Sequence, residues 1–218
     1  MSARRLSVLV LDEELPHPPD TGKRIRTLNL LTQLAKEFRV DLLTHANGFT
    51  PEACAALAER GIGAHGAGSR IPRKEGPAFA LRLAANIVSP LPYSATSHDR
   101  PGYRNRLREL TREGAYDLLH CEWTPYARLR EGLALPWVVA AHNIESQVWR
   151  RLAQAESSLP RRLYAREQAR KMERLERRIF ASAPFATAVS EEDARRLGAF
   201  GCRRVAVVEN GVDLDAYA

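Results

Sequence analysis

The sequence has 218 residues, 44% of them hydrophobic and 27% charged, a composition that excludes disordered and fibrous classes and fits one substantial domain. An α/β domain of this size buries roughly 70% of the surface its unfolded chain exposes, so its stability requires neither disulfides nor metal. The net charge of +7 calls for an anionic partner, but the aromatic residues (7%) are not interleaved with the arginines as in a base-stacking platform, which argues against nucleic acid.

Short apolar runs alternate with helical patterns along the whole chain, the arrangement of crossover units in a parallel sheet. The first run, 6–11, is followed at once by Asp12, Glu13 and Glu14 and is too short for a signal-peptide core. A loop, DEELPHPPDTG, then leads into an amphipathic helix over 23–37, where Ile25, Leu28, Leu31, Leu34 or Ala35, and Phe38 recur at three- to four-residue spacing. Further strands are predicted at 39–44, 62–65, 117–121, 137–141, 185–189 and 204–208. Runs such as LSVLVL, WVVAA and VAVV are nearly all apolar, as strands covered on both faces should be. Helices are predicted over 51–60, 78–88, 100–113, 125–132, 144–155, 161–182 and 191–200.

Between these elements, 66–76 reads as a mobile surface loop, and Ser190 with Asp193 three residues on is a capping-box pattern. Cys54, Cys121 and Cys202 lack metal-ligand spacing and read as reduced. No apolar stretch approaches the roughly 20 residues of a membrane span, so a soluble cytoplasmic protein is expected. The segment 210–218 follows the last strand without a further periodic element and reads as a linker, leaving 1–209 as the domain.

In an open parallel sheet, ligands bind beyond the carboxyl ends of the strands. That rule singles out Gly22, Thr44-His45, Glu122-Trp123, His142-Asn143, Ser190 and Asn210-Gly211. Gly22 would let backbone approach an anion at the free amides of the first helix. Lys23, Arg24 and Arg26 crowd the same turn, although cations there oppose the helix dipole at roughly 0.3–1 kcal/mol each. They are either solvated surface charge or a means of recruiting phosphate. His142 is placed to meet a substrate hydroxyl and can exchange a proton near neutral pH. Asn143 reads as the cap, and Glu145 as the first-turn acid, of the helix that follows. GxGxxG and GxxxxGK[ST] are both absent, and the second strand ends in Thr44-His45 rather than a ribose-binding acid, which argues against NAD and P-loop chemistry.

From Arg161 to Arg178 there are eight basic and three acidic residues, with Tyr164, Met172, Leu175 and Ile179 on one helical stripe. The basic face is either solvated or lies on anionic lipid, where each cation contributes on the order of 1 kcal/mol. Upstream, PAFALRLAANIVSPLPY carries Phe79, Leu83 and Ile87 as an apolar ridge, expected to pack in the core, beside Arg70, Arg73 and Lys74.

HNIES after one buried strand, AVSEED after another and VVENGVDLDAY at the end resemble the amino-terminal domain of family 4 retaining glycosyltransferases of the GT-B fold, over essentially the whole chain. The most specific piece is NGVD with an aromatic soon after, which in that family marks the exit into the interdomain linker. DTGKRIRTLNLLTQLA together with HNIESQVW is most similar to sugar transferases of bacterial exopolysaccharide systems. The resemblance implies an α/β, Rossmann-like parallel sheet of about seven strands with helices on both faces. It also implies a nucleotide-sugar site lying mostly in a carboxyl-terminal donor domain absent from this chain, so the isolated chain is expected to be inactive.

Carried onto this sequence, the resemblance puts Gly22 near donor and acceptor, makes His142 the active-site histidine and matches Asn210 and Gly211 to the exit motif. Thr21-Gly22 stands where many relatives have a glycine pair. The implied reaction moves a sugar, with retention, from a nucleotide-sugar donor to a saccharide or lipid-linked acceptor. Attack is on the front face within an ion pair, the donor phosphate takes the acceptor proton, and no metal or other cofactor is required. The catalytic candidates are His142 and Glu122. The substrate-binding candidates are Gly22, Lys23, Arg26, Asn143, Glu145, Ser190, Asn210 and Gly211. Lipid-linked acceptors would place the protein peripherally on the inner membrane face. Two readings compete: a sugar-nucleotide epimerase on the same architecture, and a non-catalytic module binding anionic lipid or a partner.

Overall fold

Alternation along the first strand, β1 (Ser7–Leu11), sets up the architecture: Val8 and Val10 turn to one face of the sheet and Leu9 and Leu11 to the other, and all four are buried. The computed structural model describes residues 4–114 and 116–211. Within them β1 is joined by β2 (Arg39–Thr44), β3 (Ile62–Gly66), β4 (Leu118–Cys121), β5 (Trp137–Ala141), β6 (Ala186–Ala188) and β7 (Val205–Val207). They form one seven-stranded sheet in the order β3-β2-β1-β4-β5-β6-β7, with every neighbouring pair parallel.

Helices cover both faces. On the Val8–Val10 side lie α1 (Gly22–Glu37) and α2 (Pro51–Ala58), which bury Leu28, Leu31 and Leu57 against Val40 and Leu42. On the Leu9–Leu11 side a larger core gathers Tyr103 and Leu107 of α5 (Pro101–Glu113), Met172 and Phe180 of α8 (Leu159–Ser182), and Leu197 of α9 (Glu191–Ala199). Each fully buried aliphatic side chain of this kind contributes about 1.5–3 kcal/mol.

Two short helices depart from expectation. α4 (Tyr93–His98) is not foreshadowed, because YSATSH is too short and polar to show a helical period. α6 (Thr124–Ala127) stops early, and turns carry the chain on to Gly132, which has φ of +88°.

α3 (Gly76–Ile87) meets the core-packing expectation for its apolar ridge only in part. Phe79 and Leu83 are half-buried, Phe79 standing edge-on to Tyr93 at 5.7 Å, whereas Ile87 is 59% exposed, and only Asn86 of the helix is fully buried. Polar bonds also hold it. The buried Lys171 ammonium donates to the carbonyls of Asn86 and Ile87 at 2.7 and 3.0 Å, and Gln168 Nε2 donates to Asn86 Oδ1 at 2.8 Å. A cation on the last carbonyls of a helix also suits its dipole.

The loop over 66–76, expected to be mobile, is tied across its middle to the segment after β2. Ala46 N donates to Ser69 O at 2.8 Å, and Asn47 exchanges two hydrogen bonds with the Ile71 backbone at 2.7 and 3.4 Å. Cys54, Cys121 and Cys202 are free thiols. The linker expected at 210–218 lies mostly outside the described residues.

α7 (Glu145–Ala155) packs along α8, and its amino terminus is capped from that neighbour. Its N-cap is Ile144, which offers no side-chain acceptor, so the capping role expected of Asn143 is not realised; Asn143 sits one residue too early and is exposed. Glu176 of α8 supplies the acceptor, receiving Ser146 N at 3.3 Å on Oε1 while Oε2 finds no partner. Burial pushes the Glu176 carboxyl up to about 7, against the opposing bonds from Ser146 and Glu145. Because this folded value lies above the unfolded one near 4.5, its favourable contribution is complete below pH about 4.5 and disappears as pH rises through 7. Glu176→Gln should therefore match the parent in urea unfolding at pH 4 and exceed it by up to about 3 kcal/mol at pH 8. A difference that does not vary with pH would contradict this account.

Candidate functional site at the carboxyl edge of the sheet

The parallel register brings the segments after β1, β4, β5 and β7 to one edge. The ladder runs on past the strands themselves: Asp12 N donates to Leu43 O at 3.1 Å, Glu122 N to Leu11 O at 3.0 Å, and Val208 N to Ala188 O at 2.8 Å. Asp12, Glu122 and Val208 thus stand in a row of polar segments along that edge.

Glu122 is 3% exposed and turns toward α1. Thr27 Oγ1 donates to its Oε1 at 3.0 Å, and His120 Nε2 lies 2.8 Å from its Oε2. His142 Nε2 is 3.2 Å from Oε1 but off the hydrogen-bond axis, so this contact is electrostatic rather than an aligned bond. Burial raises the carboxyl's pKa, and the bond from His120 and the closeness of His142 outweigh it, holding Glu122 well below the usual carboxylate range. At neutral pH it is therefore a fixed anion that orients imidazoles rather than a proton donor.

Arg26 completes this half of the site. Its Nη1 is 3.5 Å from His142 Nδ1, its Nη2 donates to Val208 O at 2.9 Å, and its Nε donates to Asn210 Oδ1 at 2.5 Å. A guanidinium only donates, so Nδ1 is the acceptor and the neutral ring carries its proton on Nε2, toward Glu122. Burial lowers the Arg26 pKa and Glu122 opposes the shift.

Along the same edge, Lys23 Nζ donates to Asp12 Oδ1 at 2.7 Å and to Glu13 Oε1 at 2.8 Å, while Arg24 grips Glu14 through two bonds of 2.9 and 2.7 Å. The α1 cations are thus neither simple solvated charges nor vacant anion receptors: the DEE segment answers them. Burial pushes the Asp12 carboxyl up to about 6 despite Lys23. Burial also raises Glu13, but His98 and Lys23 more than reverse this and hold it well below the usual range. His98 Nε2 lies 3.1 Å from Glu13 Oε2, and Trp123, edge-on to His98 at 5.1 Å, donates Nε1–H to Glu145 Oε1 at 3.0 Å. Burial raises the Glu145 carboxyl, partly offset by that bond.

Of the residues singled out from sequence, Glu122, His142, Arg26 and Asn210 come together in one chain of contacts, and Lys23 and Glu145 stand in the adjoining one. Gly22 opens α1, exposed, and a Cβ built on it would meet nothing within 4 Å, so packing does not demand a glycine there. Gly211 is exposed beyond Asn210, and Ser190 caps α9 by accepting from Asp193 N at 3.1 Å. Asp12, Glu13, Thr27, His98 and His120 were not singled out. Two had signals: His120 and Glu122 share a strand face by their spacing of two, and Thr27 interrupts the apolar stripe of α1. Among the described residues the buried His45 Nε2, Thr124 Oγ1, Tyr126 OH and His142 Nε2 have no hydrogen-bond partner, and all follow β2, β4 or β5. No group of three or more His, Cys, Asp or Glu among the described residues has a metal-holding arrangement.

The seven-stranded parallel sheet with helices on both faces has the fold of one half of a GT-B glycosyltransferase. The chain belongs to Glycosyltransferase Family 4, whose sequence profile matches residues 53–216. Among solved structures it is similar to a sucrose-phosphate synthase from Thermosynechococcus elongatus, at 15% identity and a TM-score of 0.59, covering 97% of this chain and 49% of that one. It is also similar to a Polygonum tinctorium UDP-glucosyltransferase capable of glucosylating indoxyl, at 10% identity and a TM-score of 0.51, covering 98% and 54%. Arabidopsis thaliana UGT89C1 aligns at 12% identity and a TM-score of 0.51, covering 96% and 51%. These identities speak to fold alone, and the chain spans about half the length of each structure. No curated protein matches the sequence.

Arg26→Ala should leave global stability within about 1 kcal/mol. It should also speed amide hydrogen exchange at residues 208–211 several-fold, since two of their anchors are removed. Unchanged exchange would show that the guanidinium does not hold the departing chain.

Proposed function

We propose that this chain is the acceptor-side half of a retaining glycosyltransferase that moves a sugar from a nucleotide-sugar donor to a saccharide or lipid-linked acceptor. The observation that carries this reading is the convergence, within a Family 4 domain, of Glu122, His142, Arg26 and Asn210 at the ligand-binding edge of the sheet. In it, residues 1–209 form the acceptor domain, 210–218 lead to a donor domain that supplies most of the nucleotide-sugar contacts, and exopolysaccharide assembly is the setting. His142 orients the sugar or the acceptor hydroxyl, with its ring set by Arg26 and Glu122. Gly22, Lys23, Asn143, Glu145, Ser190 and Gly211 line the substrate side of the edge.

His142→Ala in the complete enzyme should lower turnover by about 10²–10⁴-fold while leaving the fold intact by circular dichroism. The 218-residue chain alone should transfer no sugar. Near-normal turnover of the variant removes His142 from the chemistry, and transfer by the chain alone defeats the half-enzyme reading.

The same proposal places the protein peripherally on the inner membrane face, where lipid-linked acceptors reside. No helix among the described residues is long and apolar enough to cross a membrane. Support comes from the exposed Leu81, Ile87 and Val88 and from Leu159 and Leu163 at the start of the basic α8. Binding to vesicles containing anionic lipid should fall at least fivefold in Leu81→Glu/Val88→Glu, by loss of apolar insertion. Equal binding by the variant would detach the membrane from this surface.

A further inference from the structure

Beside the Glu122–His142 cluster, a cavity of about 260 Å³ opens between the segments after β1, β2 and β3, lined by Glu13, Glu14, Asn47, Arg73, Lys74 and His98. Its charges are not equally committed. Glu13 is bonded to Lys23 and His98, and Glu14 to Arg24 through two bonds. Arg73 has only an exposed contact with Glu75 at 3.7 Å, and Lys74 makes no ion pair among the described residues. Exposed pairs of that kind hold a side chain weakly. Once internal pairing is complete, the charge still available to a ligand is positive and sits on Arg73 and Lys74. Glu13 and Glu14 offer neutralised carboxylate oxygens, which keep free lone pairs for hydroxyl donors.

The loop of Arg73 and Lys74 is also positioned. Asn47 binds both the N–H and the carbonyl of Ile71, two residues before Arg73, and Ala46 N binds Ser69 O. The loop that bears the two cations is therefore fastened to the segment after β2, whose His45 N in turn donates to Glu13 O at 3.3 Å.

We infer that this cavity is a subsite for a saccharide bearing an acidic group, with ring hydroxyls on Glu13 and Asn47 and the anion on Arg73 and Lys74. The inference deepens the acceptor-side reading, naming the chemical class of the acceptor, and rests on that reading for the word acceptor. A uronate carboxylate and a sugar phosphate present the same oxyanion to these cations.

NMR titration of the 218-residue chain, following Asn47 and His98, separates the alternatives. Glucuronate and glucose 1-phosphate should each bind at least tenfold more tightly than glucose, and than inorganic phosphate without a sugar. Arg73→Ala/Lys74→Ala should erase the preference for the acidic sugars over glucose, whereas Lys36→Ala/Arg112→Ala, outside the cavity, should keep it. Equal affinity for glucose and glucuronate overturns the inference. So does a preference that survives the first double variant or is lost in the second, phosphate binding as well as the acidic sugars, or no binding at tens of millimolar ligand. The outcomes are independent of the transfer assay. If His142→Ala turns over normally, sugar selectivity can still hold, and if selectivity fails, dependence on His142 still stands.

Discussion

A carboxylate sealed from water stays charged only where its lone pairs are answered, and Glu122 is answered from three directions. Thr27 reaches it from α1, His120 from two residues back in its own segment, and His142 from the end of β5. Each partner belongs to a different element, so the anion can be satisfied only when α1 is docked on the sheet and β4 and β5 are paired in their observed register. Electrostatics at the site and packing of the domain are thus one requirement. The apolar core supplies most of the folding free energy, but the placement of the imidazoles depends on this buried charge.

The neighbouring acids extend the same logic. Cations in the first turn of α1 oppose its dipole, and no acid of the helix itself offsets them. The compensation comes from the preceding loop, where Asp12, Glu13 and Glu14 take up Lys23 and Arg24, and Asp20 takes a further bond from Arg24. Loop and helix start are therefore a single charged unit. What looks in sequence like an unfavourable run of bases is a set of clasps that folds the loop back over the edge of the sheet.

The architecture was largely legible because β-segments buried on both faces are apolar runs and helices between them carry a 3.6 period. LSVLVL and WVVAA are short enough to be strands and apolar enough to be central ones. The failures have physical causes. Apolar periodicity alone cannot tell a core-facing helix from α3, whose ridge is half-buried at Phe79 and Leu83 and exposed at Ile87, and which Asn86, Gln168 and Lys171 fasten through polar bonds. At the site, strand-end position picked out Glu122 and His142, since that depends on local pattern plus sheet direction. Thr27 and His98 come from a helix interior and from an unforeseen short helix, and their relevance exists only in three dimensions. The cap of α7 shows the same limit: its acceptor, Glu176, is 30 residues away in sequence.

Arg26 has one planar head and two clients. One edge of the guanidinium faces the His142 ring, while the rest holds the carbonyl of Val208 and the side chain of Asn210, where the chain leaves the sheet. Because the head is rigid, turning it to follow the departing chain rotates the donor that sets the imidazole. The exit of the polypeptide and the tilt of the histidine are consequently geared to each other, and neither can be displaced while the other keeps its present geometry.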